Sequence, residues 1–232
     1  MRRYWDRRAR ENPWYFINNT LDYAQPDVEG FWGSGETDVD MLLERLGGSL
    51  RPTDHVVEIG CGVGRMSRAI ARRVERVTAL DVAPHMLELA RTHNAELDNV
   101  EWLLGDGTTL APVPDASADV CISYVVLQHI PDRAVILGYV REMGRVLRAG
   151  GWAVFQVSNS PDIHRQPLQG PRRRWASMRG WMPRGQRDPA WLGTWVELAD
   201  LGTAAADAGM DLEHVVGEGT QFCLVRTRRR AA

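Results

Sequence analysis

Residues 55–65 read His-Val-Val-Glu-Ile-Gly-Cys-Gly-Val-Gly-Arg. The first five make a β-branched run that stops at a glycine-rich turn, the pattern of a strand. Beyond the turn, Met66, Ala69, Ile70 and Val74 recur on one face of a helix predicted over 65–74. A dinucleotide-type Gly-x-Gly-x-x-Gly would need glycine at 65, where arginine stands. The spacing is instead acid-x-Gly-x-Gly-x-Gly, from Glu58 through Gly60, Gly62 and Gly64. Such glycines let the backbone turn sharply and let a ligand approach with no Cβ in the way. The helix start behind them offers free N–H groups to a carboxylate or a phosphate. A fixed acid at the strand end can hold an amine. Together these properties suit a ligand with an α-amino acid end.

The alternation of strand and helix extends outward from this stretch. Residues 38–50 before it read as a short amphipathic helix ending at Gly47-Gly48. After it come a strand over 76–80, a helix over 84–94 with Pro84 at an allowed first-turn position, and a strand over 100–104. The run 119–126 is nearly apolar throughout, as a central strand covered on both faces should be. A helix over 132–147 is stopped by Arg148-Ala149-Gly150-Gly151, and 152–157 is a fifth strand. This order predicts a parallel sheet with helices on both faces. The end differs: a helix over 194–208 leads to strands over 212–216 and 222–226, joined by a short glycine-rich link. Such a link suits a hairpin, so one strand near the sheet edge should run antiparallel. Segment 159–193 carries Pro161, Pro167, Pro171, Pro183 and Pro189 without a clean period, and reads as an insertion.

All 28 basic residues of the 232-residue chain are arginine, against 30 acids. Without lysine, Schiff-base chemistry and a Walker A loop are excluded. Length and composition fit one globular domain with a cap. Cys61, Cys121 and Cys223 form no CxxC pair, so neither a disulfide framework nor a metal site is expected, and a reducing cytoplasm fits. The first residues lack an apolar core of the signal-peptide kind. No run approaches the roughly 20 apolar residues of a membrane span. Arginine and tryptophan concentrate in the first 35 residues and in 159–195, where Trp5, Trp14, Trp32, Trp175, Trp181, Trp191 and Trp195 lie.

Further motifs follow in order: Asp81 at the end of the second strand, Gly105-Asp106-Gly107 after the third, 119–130 around the fourth, Leu147–Gly151, and Ala208-Gly209-Met210. With Glu58–Gly64 they resemble the class I S-adenosylmethionine-dependent methyltransferases of the small-molecule type, over 38–158 and again over 194–228. Ala149 departs from the proline usual at its position. The resemblance implies a Rossmann-like, doubly wound, seven-stranded sheet, mostly parallel. It places Glu58, Gly60, Cys61, Gly62, Gly64 and Arg65 around the methionine end of S-adenosylmethionine. Asp81 would accept from both ribose hydroxyls, since a carboxylate's two oxygens suit a vicinal diol. Asp106, flanked by Gly105 and Gly107, would accept from the adenine amine, although a turn role is the natural use of such a tripeptide. Val82 and Met86 would wall the adenine slot, or simply pack the core. Tyr124 and Gln128 complete the expected cofactor contacts. Cys61 is read as a small filler rather than a nucleophile. His129, at the sheet edge where open α/β folds bind ligands, is the candidate general base; its alternative is to pack or cap the next helix.

The arm (1–37) and the insertion (159–193) are expected to form the acceptor side, with 229–232 a basic tail. Trp32, Trp175, Trp181 and Arg174 are the candidate acceptor contacts, by stacking, cation–π contact or anion clamping. The plain alternatives are a cap core for the tryptophans and solvated surface for Arg172-Arg173-Arg174. The expected activity is methyl transfer to an O or N atom of a small molecule, such as a secondary metabolite, with S-adenosylhomocysteine as product. A nucleic-acid methyltransferase is the first alternative. Against it, SYVVLQHI follows the fourth strand where base-amino enzymes carry [DN]PP[YFW]. A protein that binds the cofactor without methyl transfer is the second. The expected partner is a small-molecule acceptor, not nucleic acid or membrane, and the expected state a monomer or homodimer in the cytoplasm.

Overall fold

The computed structural model describes residues 1–165 and 188–231. Three helices precede the sheet: α1 (Arg2–Glu11), α2 (Pro13–Ile17) and α3 (Val28–Leu46). Then follow β1 (His55–Ile59), α4 (Arg65–Ala71), β2 (Arg76–Asp81), α5 (Pro84–His93), β3 (Val100–Leu104) and β4 (Ala118–Ser123). A 3-10 turn (Leu127–His129), α6 (Arg133–Val146), β5 (Leu147–Val157) and α7 (Pro161–Arg165) lead to α8 (Pro189–Leu192) and α9 (Leu198–Asp207). The hairpin β6 (Met210–Val216) and β7 (Cys223–Arg229) ends the chain's regular structure.

The strands form one seven-stranded sheet in the order β3-β2-β1-β4-β5-β7-β6. Neighbours from β3 to β5 are parallel, while β7 runs antiparallel to both β5 and β6. This is the doubly wound sheet expected from the sequence, with its reversed strand one position in from the edge. Strand order reverses between β1 and β4, so a crevice opens there at the carboxyl ends of the strands.

The two faces follow from the strand period of two. Val56, Val77, Ala79, Val120 and Val154 point to the side covered by Val39, Leu42 and Leu46 of α3 and Met66 and Ile70 of α4. Val57, Ile59, Cys121, Phe155 and Val225 point to the other side, against Ile136, Val140 and Met143 of α6 and Leu201 and Ala204 of α9. A third cluster ties the N-terminal arm down: Ala9, Phe31, Val63, Ala83 and Met86 are buried there, beside Trp5, Trp14, Ile17 and Trp32.

Several boundaries differ from the sequence expectation: the helix expected over 65–74 ends at Ala71, the last two strands run over Met210–Val216 and Cys223–Arg229, and four further differences have a visible cause. α3 begins at Val28 and runs unbroken through residue 37, capped by Asp27, whose side chain accepts from the Gly30 N–H. Of its internal glycines, Gly35 is a packing device, because it lies against the start of α4. β4 stops at Ser123, since Val125 takes a φ of 56° that no strand continues. The stretch Leu147–Gly151 is already strand rather than a helix stop. α9 starts at Leu198, because the Val196 N–H bonds to the Ser158 carbonyl and its side chain is fully buried.

Two of the three α3 glycines, Gly33 and Gly35, should respond oppositely to a methyl group. A Cβ on Gly33 meets nothing within 4 Å, whereas one on Gly35 would sit 2.2 Å from the Arg65 carbonyl oxygen. Gly33→Ala is therefore expected to stabilise by about 0.5–1 kcal/mol. Gly35→Ala should destabilise by about 1–3 kcal/mol through overpacking. Urea unfolding of the two variants checks the opposite signs.

Candidate active site

A cavity lies at the carboxyl ends of β1, β2 and β4, under the N-terminal arm. Glu58, Gly60, Cys61, Gly62 and Arg65 line it from β1 and its turn, and Asp81, Val82 and Met86 from β2 and α5. Gly105, Gly107, Tyr124 and His129 complete the wall, and Met1, Trp5, Phe16 and Ile17 of the arm close it. Gly60, Gly62 and Gly64 all take positive φ (78°, 55° and 87°), which glycine adopts without strain. Gly62 also seats the arm: a Cβ there would stand 2.8 Å from Ile17 Cδ1.

Two acids meet at the cavity. Glu58 is buried, and one of its oxygens accepts from Ser67 Oγ at 2.5 Å. Burial pushes its carboxyl up to about 7, against the opposing pull of Ser67 and Arg65. Asp81 accepts from the Gly62 N–H (2.9 Å) and the Ala83 N–H (2.8 Å). Burial raises its carboxyl too, although these N–H groups oppose the rise. Arg65 is 7% exposed and reaches Asp38 (2.6 Å) and Ser34 Oγ (3.0 Å), while its Nε has no hydrogen-bond partner among the described residues. An amine and a diol could each find a complementary group here, in Glu58 and Asp81.

His129 stands at the acceptor end. Its Nδ1 donates to the Trp191 carbonyl (2.7 Å), so the neutral ring carries its lone pair on Nε2. Trp5 and Trp191 flank the ring at 5.3 and 5.4 Å. Desolvation pushes the imidazole down to about 4, against the Trp191 carbonyl, and His164 adds to the fall. The 188–193 segment can sit this close only because of Gly193, whose φ is 59°. A Cβ there would fall 1.7 Å from the Gln128 carbonyl oxygen.

Several expected contacts lie elsewhere. Asp106 is exposed and spends its oxygens on its own turn, accepting from the Thr108 and Thr109 N–H groups and Thr109 Oγ1, each at 2.7 Å. Despite some desolvation, those donors hold its carboxyl down to about 2. Gln128 is buried behind the cavity wall. Trp32 packs outside the cavity on Trp14 and Phe31, with the Arg68 guanidinium 4.1 Å from its ring centre. Trp175, Trp181 and Arg174 fall outside the described residues. Besides Tyr124 and Tyr139, the aromatic groups lining the cavity or stacked on His129 are Trp5, Phe16 and Trp191; it is these last three that the sequence did not single out. They belong to the tryptophan-rich arm and insertion, but no periodicity set them apart from their neighbours.

Residues 57–155 match the family described as "Methyltransferase domain". The chain is 42% identical over 110 residues to a malonyl-[acyl-carrier protein] O-methyltransferase of Serratia marcescens, covering 47% of this chain and 40% of that protein. It is 28% identical over 164 residues to a ubiquinone biosynthesis O-methyltransferase of Nitrosospira multiformis, covering 70% of this chain and 64% of that one. The chain thus spans less than two thirds of the length of either relative. Its fold is similar to that of a Haemonchus contortus phosphoethanolamine N-methyltransferase solved with phosphoethanolamine and S-adenosylhomocysteine. There the TM-score is 0.70 at 16% identity, over 99% of this chain and 48% of that one.

A histidine held below its ordinary 6.5 contributes stability that is complete above that value and lost as pH falls toward about 4, because the unfolded chain takes up the proton first. His129→Phe, which suits the aromatic slot, should remove that part of the pH dependence. Urea midpoints should drop less between pH 6.5 and about 4 in the variant than in the parent.

Proposed function

We propose that this chain, which carries a class I S-adenosylmethionine-dependent methyltransferase domain, moves a methyl group from S-adenosylmethionine to an O or N atom of a small-molecule acceptor, leaving S-adenosylhomocysteine. One observation carries the reading. A single cavity has the glycine turn with its two acids at one end and a neutral histidine between tryptophans at the other. In this reading Glu58 takes the amine of the cofactor, the glycine turn with Arg65 borders its carboxylate and Asp81 takes its ribose hydroxyls. Val82 and Met86 flank the adenine, beside the turn of Gly105 and Gly107. Asp106 shapes that turn.

When bound, the cofactor supplies an electrophilic methyl on a sulfonium that is already a good leaving group. The protein's share is to hold the acceptor near attack geometry, keep water out and receive a proton. The arm residues Trp5, Phe16 and Ile17 cover the cavity. Nδ1 of His129 is committed to the Trp191 carbonyl, so its lone pair is on Nε2, where an acceptor hydroxyl would have to replace the long contact from Gln128 (3.3 Å). A base helps a hydroxyl far more than a neutral amine, so an O acceptor fits best. The printed activities of the two relatives, both O-methyltransferases, support the same reading. An acceptor from secondary metabolism and a cytoplasmic setting belong to the proposal. Among the described residues no helix is long and apolar enough to cross a membrane.

The test is incubation with methyl-labelled S-adenosylmethionine and a metabolite panel, read by mass spectrometry for label on a small molecule. Asp81→Ala should weaken S-adenosylhomocysteine binding by about tenfold or more, through lost charge-assisted hydrogen bonds. His129→Ala should lower kcat on a hydroxyl acceptor by about 10²–10⁴-fold. Unchanged binding in the first variant would remove the assigned cofactor site, and an unchanged rate in the second would remove the base.

A further inference from the structure

Behind the cavity wall two glutamines form a continuous chain of hydrogen bonds that ends on His129. Gln156 lies on β5 and is completely buried. Its Nε2 donates to Gln128 Oε1 at 3.0 Å and to the Gln221 carbonyl at 2.5 Å. Its Oε1 accepts from the Val125 N–H at 3.2 Å. Because Gln128 uses its oxygen toward Gln156, its own Nε2 points the other way and donates to His129 Nε2 at 3.3 Å. The imidazole is then fixed at both ends, with Nδ1 donating to Trp191 and Nε2 accepting from Gln128.

Each amide in this chain has a polarity set by its neighbour. The Gln221 carbonyl can only accept, so Gln156 must turn its nitrogen that way. The Val125 N–H can only donate, which calls for the Gln156 oxygen. Val125 needs such a partner, because it is a β-branched residue at a φ of 56°, and this strained backbone forms part of the cavity wall. A buried glutamine with every polar atom engaged is rigid, since turning it would leave groups unpaired.

We infer that Gln156 is a positioning residue, which orients the Gln128 amide so that His129 Nε2 stays proton-accepting until an acceptor hydroxyl takes that amide's place. The inference rests on the reading of His129 as the base. The contact from Gln128 is long, so an acceptor hydroxyl can replace it without a large loss. It then acts as a placeholder: it excludes the protonated ring, which would turn an N–H toward the amide nitrogen. The other groups facing His129 among the described residues are the rings of Trp5 on α1 and Trp191 on α8, and the titratable His164 on α7.

Gln156→Glu tests this with little change of shape. A carboxylate still accepts from Val125, but it cannot donate to Gln128, so the Gln128 amide must turn over and offer its oxygen to His129 Nε2. That arrangement favours the protonated ring. Imidazole NMR of the ¹⁵N-histidine-labelled protein should then show the His129 titration rising by about one unit or more. Gln128→Met removes the donor instead and should raise it in the same direction, which covers the case in which Gln156→Glu fails to fold. Binding of S-adenosylhomocysteine should stay within about twofold in both, and any loss of rate should fall on kcat rather than on the KM for the cofactor. A His129 titration unmoved in folded Gln128→Met overturns the proposal. So does one unmoved in folded Gln156→Glu. A His129→Ala enzyme with full activity would remove the base reading on its own, because the NMR titration does not depend on turnover.

Discussion

The turn between β1 and α4 is where separate parts of the chain must touch, and its lack of side chains makes that possible. A Cβ at Gly60 would collide with Val126 at 2.4 Å, one at Gly62 with Ile17 at 2.8 Å, and one at Gly64 with Trp102 at 2.6 Å. These three neighbours come from the loop after β4, from the arm and from β3. The sheet's switch point, the loop that carries His129 and the covering arm are all registered against the same few backbone atoms. Close packing of this kind transmits small displacements, so the acceptor end and the cofactor end of the cavity are not independent.

Electrostatics gives the same turn a direction. Glu58 and Asp81 sit in surroundings that raise both carboxyls, and each is only partly compensated by donors. Arg65 is turned toward Asp38 and Ser34 of α3 through Nη1, and its buried Nε has no partner among the described residues. Buried charge without full compensation costs stability, and folds keep such groups mainly where a ligand completes them. An amine beside Glu58 would supply a missing partner. At the other end of the cavity the environment is apolar and keeps His129 neutral. Desolvation thus acts oppositely on the two ends: it makes the acids reluctant to ionise and the base reluctant to protonate.

The sheet was legible in the sequence because strands such as 55–59 and 100–104 carry their apolar residues in short runs that end at a glycine. So was the reversed strand, since the link between β6 and β7 is too short for a crossover. The misread boundaries share a physical cause. Gly33 and Gly35 suggest a break in an isolated helix, but α4 presses against Gly35 and makes the small residue useful inside α3. Leu147–Gly151 looks like a helix stop until the sheet extends it as β5. At the site, the glycines, Glu58, Asp81 and His129 were readable from local spacing. For Asp106 the turn role that the sequence also offered is the one visible here, since its carboxylate accepts from Thr108 and Thr109. The partnership of Gln128 with Gln156 could not be read at all. It joins residues 28 apart across adjacent strand ends, and no periodicity marks it.

The arginine-only composition has a structural reading that charge counting misses. Arg226 on β7 donates to the carbonyls of Leu46 and Gly47, at the end of α3. Arg68 does the same for His93 at the end of α5, and Arg229 for Ala208 at the end of α9. Helix ends leave carbonyls without partners, and a nearby cation also meets the negative end of the helix dipole. Arg145 binds the carbonyls of Leu110 and Val113 together with Glu142 and Asp115, which anchors the loop between β3 and β4 onto α6. A guanidinium can reach two or three such acceptors at once in a fixed plane, whereas an ammonium acts as a point donor. Most of these contacts link segments far apart in the chain. These arginines are therefore among the ties that hold the helices and the β3–β4 loop to the sheet, and with them the cavity that the sheet edge builds.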